Sequence, residues 1–442
     1  MTQSAAALIA ATRFGFAPRG DDLEVIARDP HQWVASQLSA PPRPLGGDLP
    51  SSASVAAQIF ARQRDKRDQA AQKQFGEGMR QIYFAEVEAR LGAAASSDKP
   101  LLERLTQFWS NHFTVSAIRP IVTGLAGTFE REAIRPHVTG RFSDMLLAAE
   151  SHPAMLLYLD NAISIGPESM AGQRSGRGLN ENLGREILEL HTLGVDGGYS
   201  QDDVEALARI LTGWSLARLN DSSPGAFMFR DRAHEPGAKT LMGRRYAEGG
   251  RNEGVAALRD LAAHPATARH VALKLARHFI ADQPPADAVA RIATVFRDSG
   301  GDLAKVTEAV AREDAVWRTP LAKVRTPNEL VTASCRVAGF TPKPPLIAGG
   351  LRVLDQPPYH AAQPSGWPDD AASWISPEAV LRRAQWCEAF AGRMPDPPDA
   401  AALIEASLGE AAGAETVDAI RAAPSRRTAL ALLLASPEFQ RR

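Results

Sequence analysis

Apolar residues along this 442-residue chain recur at intervals of three and four and almost nowhere at two. That periodicity restricts the chain to helices packed on helices. Leu101, Leu105, Phe108 and His112 fall on one stripe, as do Val289, Ile292, Ala293 and Phe296, and again Leu303, Val306 and Val310. Start signals accompany the stripes. Ser200-x-x-Asp203 reads as a capping box for a helix whose inner face carries Val204, Leu207, Ala208 and Leu211. Asp302, after Gly300-Gly301, reads as an N-cap. Pro153 and Pro265 each occupy a first helical position behind a histidine. Strand patterning is confined to Phe227–Phe229 and Lys239–Leu241, which together suggest one small hairpin.

The expected fold is all-α, a large multi-helix single domain over residues 1–442 with a small β-hairpin insertion at 225–246. Residues 40–100 read as a loop followed by a long polar helical arm. The middle of that arm, Arg62–Lys73, has no apolar stripe and is expected to be solvated. Residues 166–180 form a Gly/Ser loop carrying Arg174 and Arg177, expected to be mobile, and Pro-rich loops punctuate 340–400.

A net charge of -1 offers no basic surplus for nucleic acid. No apolar run approaches the roughly 20 residues of a membrane helix. Ala5–Ala11 is too short for an export signal and no Lys or Arg precedes it, so the cytoplasm is the expected compartment. Cys335 and Cys387 are the two cysteines; so far apart in sequence, they suggest buried thiols rather than a disulfide or a zinc site.

The densest polar segment is Asn180–Tyr199, NENLGREILELHTLGVDGGY. Taken as a helix, it sets Asn182, Glu186 and Glu189 beside an apolar stripe of Leu183, Ile187, Leu190 and Gly194, with Arg185 and His191 close by. Charges crowded on a packed helix must pair or coordinate something. The chemical reading is an acid–base site of Glu186, Arg185, His112 and Asn182, or a divalent metal (iron, manganese or zinc) held by Glu186, Glu189, His191 and His234. A purely structural network remains open. The pattern matches no His-Glu-x-x-His site, and nucleophile-elbow and nucleotide-binding glycine motifs are missing from the chain. His112 should point inward from its apolar stripe and Trp109 should be core. His234, Glu235 and Lys239 lie in a loop. His270, Lys274 and Arg277 form a short basic face that by itself is weak ground for an anion site. Trp367, before Pro368, either lines a pocket or plugs the core.

FGFAP (Phe14–Pro18), FWSNHF (Phe108–Phe113), HPAMLLYLDN (His152–Asn161), the Asn180–Tyr199 segment, TGW (Thr212–Trp214), HEPGAK (His234–Lys239), HPATA (His264–Ala268), KVRTPNE (Lys323–Glu329) and SGWP (Ser365–Pro368) occur in this order. Together they resemble the domain of unknown function 1800 family over nearly the whole chain. That resemblance implies a large helical bacterial protein. It also implies a sulfatase-like neighbour as a partner and, through it, an envelope role. Glu235 stands where the family motif more often carries Asp. The resemblance draws His112, Asn182, Arg185, Glu186, Glu189, His191, His234 and Lys239 into one pattern and favours a functional site over unrelated caps. The readings carried forward are an enzyme, hydrolytic or oxidative; a non-enzymatic binding or assembly protein; and a haem-peroxidase-like chain using Gln107, His112, Arg185, Glu186 and His278.

Overall fold

A computed structural model describes residues 2–64, 68–176 and 178–442. Residues 65–67 of the expected polar arm, and Arg177 of the Gly/Ser loop, lie outside the described residues.

The helical stripes bury the faces the sequence assigns to them, around two apolar clusters. The larger gathers Phe14, Leu105, Trp109, Phe142, Leu207, Val271, Phe279 and Phe296. The smaller gathers Val87, Leu330, Leu351, Phe390 and Leu433. The long helix Gln69–Ser96 joins them, giving Met79 to the first and Tyr83, Val87 and Leu91 to the second. Each side chain of this size adds about 1.5–3 kcal/mol on burial, so the clusters dictate how the helices lie. The described flank of the polar arm, including Gln63, Gln69 and Lys73, faces solvent. Both thiols are free and buried. No described helix is long and apolar enough to cross a membrane.

Local start signals operate as the sequence implies. The Ser200 capping box opens Gln201–Ile210, and Asp302 caps Leu303–Ala311. His152 and His264 cap their helices through the ring Nδ1, each accepting from the amide two residues on at 3.1 Å. A second capping box, Thr326 with Glu329, opens Pro327–Ala338.

The expected hairpin is two hairpins. β1 (Trp214–Leu216) pairs antiparallel with β2 (Phe227–Phe229), and β3 (Lys239–Leu241) with β4 (Arg244–Tyr246). The cause is local. Met242 and Gly243 both have positive φ, 51° and 73°, the requirement of a two-residue type I′ turn, so β3 folds back at once on the residues that follow.

The Asn180–His191 segment is not one straight α-helix. Asn182–Glu186 is α-helical, and Ile187–His191 widens into a π turn. Further π turns occupy Ala10–Phe14 and Glu130–Ile134. A widened turn shifts the helical phase, here carrying His191 inward beside Ile187 and Leu188.

Candidate functional site

A cavity of about 340 Å³ lies beside the larger cluster, whose Phe108, Val115 and Phe129 line it. Its walls come from the Pro100–His112 helix, the Pro265–Phe279 helix, the start of Pro327–Ala338, and the segments 356–361 and 365–369.

The Pro265–Phe279 helix buries Ala268, Val271, Ala272, Leu275 and Phe279. Its opposite side sends His270, Lys274, Arg277 and His278 to the cavity. Residues three and four apart share a helix face, so i, i+4, i+7 and i+8 place these four together.

Two of the cavity's imidazoles are fixed by the π turn. His270 Nε2 lies 3.0 Å from the Leu190 carbonyl, and His112 Nε2 lies 3.1 Å from the His191 carbonyl. A carbonyl only accepts, so both rings carry their proton on Nε2. Burial, and then the Lys274 charge, hold both below the usual histidine range, His270 at about 4. Both rings are neutral near pH 7. Gly194 makes this approach possible: its φ is +84°, and a Cβ there would stand 2.8 Å from His270 Nδ1.

The far wall is an ion network. Glu329 receives Arg104 on one oxygen and Arg442 Nε on the other, at 3.0 Å. Burial alone would raise the Glu329 carboxyl, but Arg442 and Arg104 together draw it far below the ordinary carboxylate range. His278 Nδ1 is hydrogen-bonded to Asp369, while Arg104 Nη1 stands 3.3 Å from His278 Nε2. Asp369 ends a strap that Asn111 clasps, donating to the Trp367 carbonyl at 2.9 Å and accepting from its amide at 2.7 Å. Gly366, at φ +81°, is obligatory there, since a Cβ would sit 2.4 Å from the Asn111 carbonyl. Trp367 thus lines the cavity wall.

Two of the wall's four Arg and Lys side chains are committed: Arg104 to Glu329, and Arg90 to Glu130 at 3.2 Å. Lys274 and Arg277 are not. Neither makes a hydrogen bond or an ion pair among the described residues. Burial without a bonded carboxylate pushes Lys274 down to about 8, against the raising influence of Asp369.

Of the residues singled out in the sequence, His112 lines this cavity, as do Gln107 and His278. His191 is buried behind it, with Nδ1 2.8 Å from Glu150 Oε1 but out of line for a hydrogen bond. Both ring nitrogens and both Glu150 oxygens lack hydrogen-bond partners among the described residues. Glu186 is half-buried, and burial raises its carboxyl despite His191 nearby. Glu189 accepts from the Tyr199 hydroxyl at 3.5 Å. Asn182 is exposed, and Arg185 pairs with Glu181 and Gln201 on the outside of the helix. None of Asn182, Arg185, Glu186 and Glu189 lines the cavity. His234 lies in a different buried cluster. Its Nδ1 meets the Thr212 carbonyl at 2.9 Å, and its Nε2 faces Glu253 and Lys239 at 3.0 and 3.3 Å. Among the described residues no three His, Cys, Asp or Glu side chains converge closely enough to hold a metal ion.

A family model described as "Protein of unknown function (DUF1800)" matches residues 9–441. The chain belongs to the DUF1800 family. No curated protein and no solved structure matches it. In this DUF1800 chain Lys274, Arg277 and Asp369 line the candidate site although the sequence pattern marks them only weakly. The four-residue step from His270 to Lys274 and on to His278 was visible, but it counts only once a cavity is known to face it.

Proposed function

We propose that the protein binds a small organic anion in this cavity and acts on it as an enzyme, with Arg277 and Lys274 as the anion's contacts. The observation that carries this reading is the pair of uncommitted cations on one helix face, half-buried Lys274 and exposed Arg277, in a cavity whose other two arginines, Arg90 and Arg104, are already paired with Glu130 and Glu329. The unpaired charge of half-buried Lys274 is costly unless a ligand supplies the counter-charge, while Arg277 is exposed and carries no such cost. The volume lies within the range of small-molecule sites. The neutral rings of His112 and His270 and the Trp367 strap would shape the rest of the ligand's surroundings.

The test is a thermal-shift panel of small carboxylates, oxo acids and phosphate monoesters at matched ionic strength. A ligand at 100 times its Kd adds about 2.7 kcal/mol, which reads as a rise of a few degrees. The expected outcome is such a rise for one class of anion in the wild type and its loss in Lys274→Met/Arg277→Met. A panel in which no anion stabilises more than chloride at equal ionic strength would overturn the reading.

A further inference from the structure

We propose that Lys274 is a Schiff-base nucleophile and that the cavity's substrate is a small oxo acid, its carboxylate on Arg277 and its carbonyl carbon at Lys274 Nζ. This rests on the anion-binding reading above and adds the chemical class of the ligand.

Three described lysines are withdrawn from solvent, Lys239 and Lys323 buried and Lys274 half-buried, and they fall into two kinds. Lys239 is held by Glu253 at 3.2 Å and faces His234, and Lys323 is ion-paired with Asp282 and hydrogen-bonded to the Asp369 carbonyl. Those amines are committed as cations. Lys274 makes no hydrogen bond or ion pair among the described residues, and it lines a partly open cavity. A cation with no acceptor is poor anchoring for the fold, whereas an unpaired amine drawn partly out of water beside a cavity is the arrangement that makes lysine a nucleophile. With its pKa at about 8, about a tenth of Lys274 is unprotonated at pH 7. The charged and titratable groups facing it are Arg277, His270, His112 and Asp369. The two histidines are neutral, so they do not repel the carbonyl's partner charge or compete for it.

Arg277 sits three residues on, one helical turn away and on the same face, about 5–6 Å between Cβ atoms. In an oxo acid the carbonyl carbon is only a bond or a few from the carboxylate. A guanidinium holding that carboxylate in bidentate fashion would present the carbonyl to the neighbouring amine. The step balances without a co-reactant. The Nζ lone pair attacks the carbonyl carbon, a C=N bond replaces C=O, and the oxygen leaves as water with the two amine protons. The imine nitrogen is then an electron sink for bond-breaking at the adjacent carbon.

The experiment incubates the full chain at pH 7.5 with pyruvate, glyoxylate or 2-oxoglutarate and sodium cyanoborohydride, followed by intact-mass measurement and peptide mapping over the chain's eight lysines. The expected result is one reduced adduct per chain, confined to the peptide holding Lys274. It should be absent in Lys274→Arg, slowed at least tenfold in Arg277→Met, and slowed by succinate, which has no carbonyl. Circular dichroism confirms that both variants fold. If carboxylates stabilise the wild type through Lys274 and Arg277 but no adduct forms at Lys274, the Schiff-base proposal is wrong and the anion site stands. If no carboxylate stabilises the chain and label spreads evenly over surface lysines, both fail.

Discussion

Lys274 and Glu329 line the same cavity, and folding treats them in opposite ways. Lys274 binds its proton more weakly in the folded chain, at about 8, than in an unfolded one, at roughly 10.4. Below pH 8 both states are protonated and the charged amine lowers stability in full. As pH rises from 8 towards roughly 10.4 the penalty disappears, because neither state then holds the proton. Lys274→Met is therefore expected to be more stable than wild type at pH 7 by roughly 1–3 kcal/mol, with the gain gone by about pH 10.5. Urea titrations at the two pH values check it, and a variant less stable at pH 7 would contradict it. Glu329 has the reverse sign. Burial opposes its ionisation, but Arg442 and Arg104 hold its folded pKa below the ordinary value, so its contribution is complete above about pH 4.3 and is lost as pH falls further. Glu329→Gln strands Arg104 and Arg442 in the interior and should cost roughly 3–5 kcal/mol at pH 7, a deficit that narrows in acid. Equilibrium unfolding at pH 7 and pH 3 measures both parts.

Helices were legible where their cause is local. Ser200-x-x-Asp203, Asp302 and the two His-Pro starts each name their own capping partner, and the structure uses all of them. Of the four strands, Phe227–Phe229 and Lys239–Leu241 were legible but their partners Trp214–Leu216 and Arg244–Tyr246 were not, and Met242 carries no obvious mark of the positive φ it adopts. The π turn at Ile187–His191 was not legible. A widened turn is fixed by what packs on it, here His112 and His270 on its terminal carbonyls, and a period of 3.6 read along the sequence runs straight through it. Close helix crossings are equally silent. At Gly127 a Cβ would stand 2.3 Å from the Glu86 Cβ on the Gln69–Ser96 helix. Gly127→Ala should push these elements apart, costing roughly 1–3 kcal/mol and loosening the Glu86–Arg131 ion pair beside it. A thermal unfolding midpoint unchanged from wild type would show that the crossing can relax.

The whole molecule builds its cavity from segments distant along the chain, and this explains what the sequence withheld. The all-α class and the family followed from periodicity and motif order, which run along the chain. The site instead gathers Gln107, His112, Lys274, Glu329 and Asp369 from segments more than 250 residues apart. The richest polar segment in the sequence therefore supplies only Leu190 to the lining itself, with His191 behind it, and a modest basic face on a later helix becomes the centre. The claim that Lys274 is an uncommitted amine awaiting an anion is open to direct measurement by NMR titration of the chain with its lysines 13C-dimethylated, the resonance being assigned by its loss in Lys274→Arg. The account predicts that Lys274 titrates near 8, well below the exposed lysines, and moves upward when the stabilising anion fills the cavity. A Lys274 resonance that titrates with the exposed lysines above about 10, indifferent to every anion added, would contradict it.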